Sequence, residues 1–104
     1  MRRGEVWWGE AAPPVGARPF LVVSRDILNQ IRDSVIVSPV TSRIRGVPTE
    51  VTLGAAEGLP RPSAANLNTL MTLKQQQFTQ MAGTLSPARL EEVNAALRWA
   101  LDLD

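Results

Sequence analysis

Short apolar runs broken by glycine, proline and charge fill most of the chain, and a single helical stripe closes it. Glu5-Val6-Trp7-Trp8 predicts a first strand, with Val6 and Trp8 on one face and Glu5 and Trp7 on the other. Gly9 to Ala17 contains Pro13, Pro14 and two glycines and reads as a loop. Arg18-Pro19-Phe20-Leu21-Val22-Val23-Ser24 predicts a second strand, with Pro19 near its start, where a missing N–H is tolerated. Asp26 to Gln30 has room for one helical turn. Ser34 to Thr41 predicts a third strand, and its near-continuous apolar run implies burial on both faces. Thr49 to Leu53 alternates and predicts a fourth, after a turn around Gly46-Val47-Pro48. Gly54 to Pro62 reads as a loop and Ala64 to Leu73 as one or two further strands. Gln75 to Phe78 reads as a short helix, and Gln80 to Thr84 as a last short strand.

The terminal helix has the clearest signals. Ser86 suits the N-cap, Pro87 the first helical position, and Leu85 with Leu90 a hydrophobic staple. Leu90, Val93, Leu97 and Leu101 form a stripe expected to face the core. Ala96, Trp99 and Leu103 form a second stripe on roughly the opposite side. A helix apolar on two sides in so short a chain predicts contact with a second chain through Trp99 and Leu103. The rival reading has Trp99 covering a loop of its own subunit. Strands first and a helix last predict a mainly β (α+β) fold, a small, partly open barrel with helices outside.

Composition narrows the chemistry. With 104 residues, 44% hydrophobic and 20% charged, the chain is expected to be one globular domain over 1–104. No apolar run approaches membrane-spanning length and the start lacks a signal-peptide core, so the expected address is the cytoplasm, with no membrane partner. The chain has no Cys and no His. Disulfides and His- or Cys-based nucleophilic catalysis are therefore excluded, and zinc would need an all-oxygen site. No glycine-rich phosphate loop occurs, so no nucleotide cofactor and no metal are expected. Net charge is +1, yet the first 62 residues carry eight Arg against six acids. Arginine is the side chain suited to bidentate phosphate contacts, and a GC-rich coding bias is the rival explanation.

Two strand ends carry the candidate chemistry. Arg18 opens the second strand, and Thr41 and Ser42 close the third. Antiparallel pairing of these strands would bring the ends together. A permanent cation beside two hydroxyls on a rigid sheet can grip and polarise a phosphate. Arg43 and Arg45, in the following loop, are candidates for backbone phosphate contacts or simply solvated. Trp7 or Trp8 could stack on a base, with at least one of them going to the core. Gln75, Gln76 and Gln77 could read base edges or lie on a surface helix. Glu5 and Glu50 are candidate bases or solvated carboxylates.

An ordered set of motifs runs through nearly the whole chain: Arg3-Gly4-Glu5-Val6-Trp7, Gly16-Ala17-Arg18-Pro19-Phe20-Leu21-Val22-Val23-Ser24, Val37-Ser38-Pro39-Val40-Thr41-Ser42, Gly46-Val47-Pro48-Thr49-Glu50-Val51 and Asn68-Thr69-Leu70-Met71-Thr72-Leu73. Together with the terminal helix, this set resembles the MazF/PemK toxins of type II toxin–antitoxin systems. The resemblance implies an SH3-like, or CcdB-like, barrel and a homodimer. It implies a metal-independent endoribonuclease (an mRNA interferase) that cuts single-stranded RNA within a short sequence, leaving a 2′,3′-cyclic phosphate and a 5′-hydroxyl. It also implies a cognate antitoxin whose tail covers the RNA groove. The family's catalytic Arg and Thr map onto Arg18 and Thr41, and Gly16, Ser42, Arg43, Arg45 and Asn68 fall to RNA binding. The chain departs from the family pattern at three places: the 9–17 loop is shorter, Asn68 stands where many relatives have a carboxylate, and Met71 stands where many have Arg or Lys. Two other readings stay open here. One is a CcdB-like DNA gyrase inhibitor without nuclease activity, suggested by Trp99. The other is an inactive module that binds RNA or an antitoxin, suggested by Met71.

Overall fold

The computed structural model, which describes residues 1–104, is a curled antiparallel sheet of seven strands with a helix against it. The strands are β1 (Glu5–Glu10), β2 (Ala17–Val22), β3 (Ser34–Thr41), β4 (Glu50–Leu53), β5 (Ser63–Asn66), β6 (Met71–Lys74) and β7 (Phe78–Thr84). The helices are α1 (Asp26–Ile31) and α2 (Pro87–Leu101). The strand order is β4-β5-β3-β2-β1-β7, with β6 also paired to β3. This is the mainly β, partly open barrel the sequence predicts. Its third strand ends where the apolar run ends. The 64–73 segment resolves into β5 and β6, Gln75–Gln77 forms a 3₁₀ turn, and the last strand starts earlier than predicted, at Phe78.

β3 joins the two halves of the barrel. Its first part pairs with β6 (Val35 with Leu73, Ile36 with Thr72) and its last residues pair with β5 (Val40 with Ala65, Thr41 with Ala64). Between them lie Ser38 and Pro39. Pro39 has no N–H to give a neighbouring strand, and the fully buried Ser38 donates its hydroxyl to the Asn66 carbonyl at 2.8 Å. Burial changes phase across this point. Val35 and Val37 enter one apolar cluster with Phe20, Val22 and Leu73, whereas Val40 enters the other with Val6, Leu21, Val51 and Leu67. The expected burial of β3 on both faces is thus corrected. Ile36 is exposed, because each half of the strand offers one face to one core.

β1 and β2 lie between these two cores. Val6 and Trp8 face the first cluster and Trp7 the second, the alternation the sequence predicts. The β1–β7 ladder shifts register twice, between Val6 and Trp7 and between Trp8 and Gly9. Such bulges bend a sheet and help curl it. The curl is completed where the 3₁₀ turn at Ala55–Glu57 meets β7 through two glycines. A Cβ on Gly58 would overlap the Ala82 carbonyl, and one on Gly83 would lie 2.5 Å from the Glu57 carbonyl oxygen. Gly58 also sits at φ +80°, a backbone conformation that strains an L side chain.

Helix α2 begins as expected. Ser86 accepts the Arg89 N–H at 3.2 Å, Pro87 opens the helix, and Leu85 and Leu90 pack against the first core. The apolar stripes need correction. Ala96 is buried beside Val93, while Leu101 is 51% exposed. The core-facing side of α2 runs Leu90, Val93, Ala96 and Leu97, and in the last turn Trp99 and Leu101 are exposed. No helix is long and apolar enough to cross a membrane.

The Gly58–Gly83 approach makes a stability prediction. Gly58→Ala should lower the free energy of unfolding by about 2 kcal/mol or more, from overpacking and a left-handed backbone together. In a thermal melt this corresponds to a fall of about 8 °C or more in Tm.

Candidate functional site

The β2–β3 register pairs Phe20 with Pro39, Leu21 with Ser38 and Val22 with Val37. Carried two residues further, it sets Arg18 opposite Thr41. Both side chains are half-buried, at the end of strands whose middles are fully buried. The loop before β2 orients the arginine. Ala11 N–H donates to the Gly16 carbonyl at 3.0 Å and Val15 N–H to the Ala12 carbonyl at 3.2 Å, closing the loop on itself. Gly16 turns the chain at φ +70°, which favours glycine. The closed loop presents the Val15 carbonyl to Arg18, whose Nε donates to it at 2.8 Å. That bond fixes the guanidinium plane and leaves both Nη groups for a ligand.

Thr41 is set by the opposite loop. Its Oγ1 accepts the Arg43 N–H at 3.1 Å, so one lone pair is engaged and the hydroxyl proton can point elsewhere. The next stretch is held by Glu50. Its carboxylate accepts Arg45 N–H at 3.0 Å and Gly46 N–H at 2.7 Å, tying the 43–46 loop to β4. Glu5 is occupied elsewhere, accepting Arg2 N–H and the Trp7 indole N–H.

Two hollows meet at Arg18 and Thr41. One, of about 310 Å³, adds Trp8, Ser42, Arg61 and Ser63 to the pair. The other, of about 470 Å³, adds Arg45, Glu50, Asn66 and Thr69. The larger cleft of about 830 Å³ lies beside them, between Thr52–Pro62 and the start of α2. It shares Arg61 but holds neither Arg18 nor Thr41. Ion pairs form between Arg2 and Asp26, Arg89 and Glu92, and Arg98 and Glu91, all away from the pair. Arg18, Arg45 and Arg61 therefore keep their charge for whatever enters. Three guanidinium groups, the hydroxyls of Thr41, Ser42, Ser63 and Thr69 and an indole make a surface suited to a phosphodiester with attached bases. No three carboxylates gather anywhere in the chain.

Not every residue picked from sequence lines these hollows. Arg18, Thr41, Ser42, Arg45, Trp8 and Glu50 do. Gly16 acts through the loop that holds Arg18, and the exposed Arg43 through its N–H on Thr41. Asn68 is exposed on the β5–β6 turn, where its N–H caps Asn66 Oδ1 at 3.0 Å; its neighbours Asn66 and Thr69 line the hollow. Trp99 and Leu103, 66% and 59% exposed, lie at the far end of α2. The glutamines act as clasps: Gln75 Nε2 donates to the Asn29 and Arg32 carbonyls, and Gln77 Nε2 to the Glu10 carbonyl. Arg61 was not visible as a site residue. Its only local mark is an arginine flanked by Pro60 and Pro62, and it reaches the pair because β5 returns beside β3.

Comparison with known proteins agrees with this fold. The profile of the family of PemK-like, MazF-like toxins of type II toxin–antitoxin systems matches residues 2–101, and the chain belongs to that family. It is 37% identical over 101 residues to the probable endoribonuclease MazF5 of Mycobacterium tuberculosis, an alignment covering 96% of this chain and 92% of that protein. It is 31% identical over 111 residues to the endoribonuclease EndoA of Bacillus subtilis, covering 99% and 96%. Among solved structures, the Mycobacterium tuberculosis toxin MazF-mt6 superposes with a TM-score of 0.88 at 27% identity, covering 96% of this chain and 98% of that one. A mycobacterial endoribonuclease in complex with its cognate antitoxin superposes with a TM-score of 0.88 at 29% identity, covering 100% and 97%.

Proposed function

We propose that this protein is the toxin of a type II toxin–antitoxin pair and cleaves single-stranded RNA at Arg18 and Thr41, working in the cytoplasm, where it stops translation. One observation carries the assignment: Arg18 is held by its Nε with both Nη groups unused, opposite a threonine hydroxyl, at the meeting point of two cationic hollows. Relatives named endoribonucleases over nearly the whole chain support the reaction class.

The pair supplies the charge stabilisation that this chemistry demands. A ribose 2′-oxygen attacks the adjacent phosphorus, the P–O5′ bond breaks, and a 2′,3′-cyclic phosphate and a 5′-hydroxyl result. The proton leaving the 2′-hydroxyl passes to solvent water and solvent returns one to the 5′-oxygen, so the step balances without consuming water. Negative charge builds on the phosphoryl oxygens as the fifth bond forms. The Arg18 Nη groups donate two parallel hydrogen bonds to that charge, and Thr41 Oγ1 donates a third. A guanidinium and a threonine hydroxyl are not general bases near neutral pH, so both act by stabilising charge. Ser42 and Arg45 contact neighbouring phosphates, and Arg43 and Gly16 hold the two loops in place. Asn68 sits at the rim, where an RNA chain leaves the hollow beside Asn66.

The partners follow from the same surface. A cognate antitoxin that lays an acidic tail over Arg18, Arg45 and Arg61 would exclude RNA, and one structural relative is itself an endoribonuclease bound to its antitoxin. We assign the exposed end of α2, Trp99 with Leu103, to contact with a second copy of the chain.

Two measurements test these assignments. Arg18→Ala should remain folded and lower the single-turnover rate of RNA cleavage by about 10²–10³-fold, the effect of losing one preorganised donor. Thr41→Val should lower it less, and near-normal cleavage by Arg18→Ala would remove that residue from the mechanism. In sedimentation, the wild type should run as a dimer and Trp99→Asp/Leu103→Asp as a monomer; an unchanged dimer would place the contact elsewhere.

A further inference from the structure

We infer that Trp8 and Arg61 form a nucleotide subsite next to the cleaved bond, with Trp8 as stacking platform for one base and Arg61 as clamp on that nucleotide's phosphate. The inference rests on the ribonuclease reading above and extends it to two residues outside the Arg18–Thr41 pair. The juxtaposition is specific. Trp8 and Arg61 line the 310 Å³ hollow that also holds Arg18, Thr41 and Ser42. A hollow of that size lies at the small end of the range for ligand sites and suits a single nucleotide unit.

The two residues come from segments distant in sequence. Trp8 lies on β1, opposite Pro19 in the β1–β2 register, and packs against the first core while keeping part of its surface open. A ring that is backed by a core cannot turn away, so its open surface is a rigid platform. Trp7, one residue earlier, faces the other core, and Glu5 takes its indole N–H. The two adjacent tryptophans therefore do different work, and Trp8 alone shares a hollow with Arg18. Arg61 comes from the loop between β4 and β5. Ser63 Oγ donates to the Arg61 carbonyl at 3.1 Å, which steadies the backbone beneath it, and no carboxylate neutralises its side chain. Arg61 also lines the adjoining 830 Å³ cleft, so an RNA chain leaving the subsite has open surface to follow.

The test uses an RNA oligonucleotide that contains the protein's mapped cleavage sequence, with 2′-deoxyribose at the cut position. Lacking the attacking oxygen, it binds without being cut. Binding is followed by fluorescence anisotropy over a range of salt. Arg61→Gln should weaken binding about tenfold and flatten the log–log salt slope by about 0.7, the loss of one phosphate contact on a single strand. Trp8→Leu should weaken it about 5- to 100-fold, whereas Trp8→Phe should recover most of that, as stacking requires. An abasic nucleotide placed beside the cut should weaken binding to the wild type and have no further effect on Trp8→Leu. An unchanged salt slope in Arg61→Gln, whose loop position spares the core, would overturn the clamp. An abasic effect equal in wild type and Trp8→Leu would overturn the platform. Failure of the wild type itself to bind RNA would overturn the ribonuclease reading along with the subsite.

Discussion

The antiparallel register of β2 against β3 is the constraint on which the rest of the molecule depends. Phe20, Leu21 and Val22 on one strand and Val37 and Ser38 on the other are all fully buried. Successive residues along β2 feed opposite cores, Leu21 one and Phe20 and Val22 the other. A slip of one residue would turn each of these side chains to the wrong face. Each of the four apolar side chains contributes about 1.5–3 kcal/mol by leaving water, so a slipped register costs more than any contact at the strand ends returns. Packing at the centre thus sets Arg18 opposite Thr41, and the pair need contribute nothing to its own placement. A site built this way keeps its geometry when its polar members are replaced.

The same economy explains the electrostatics. Arg18 and Thr41 are half-buried, so the cation keeps part of its hydration and the fold bears only a modest desolvation cost. Elsewhere arginines pair with acids, as Arg89 does with Glu92 at 2.8 Å. At the site the one carboxylate within reach, Glu50, is turned to the backbone N–H groups of Arg45 and Gly46. It shapes the loop while leaving the guanidinium groups unneutralised. A chain with no histidine and no cysteine is well matched to a reaction whose main demand is stabilising charge on phosphoryl oxygens.

Much of this was legible from residue order. The β2 and β3 runs, the 64–73 strands and the Ser86 cap follow from local pattern. The meeting of Arg18 with Thr41 follows from simple antiparallel pairing. What stayed hidden depends on contacts distant in sequence. Ala96 is buried and Leu101 exposed because the core covers α2 only as far as Leu97, which helical periodicity alone does not reveal. The change of phase in β3 needs both β5 and β6 as partners. Asn66 and Thr69 line the hollow in place of Asn68 because the β5–β6 turn points Asn68 to solvent. Arg61 joins the site through a loop whose path is fixed by the Gly58–Gly83 approach, a backbone contact between residues 25 positions apart.

The central claim is that a guanidinium and a hydroxyl on paired strand ends supply the charge stabilisation for metal-independent cleavage of RNA. The most direct measurement is incubation of the purified protein with a long single-stranded RNA in EDTA, followed by chemical identification of the new ends. The account predicts discrete cuts at a short recurring sequence, each with a 2′,3′-cyclic phosphate on one fragment and a 5′-hydroxyl on the other. Intact RNA, or fragments with 5′-phosphate ends, would contradict it.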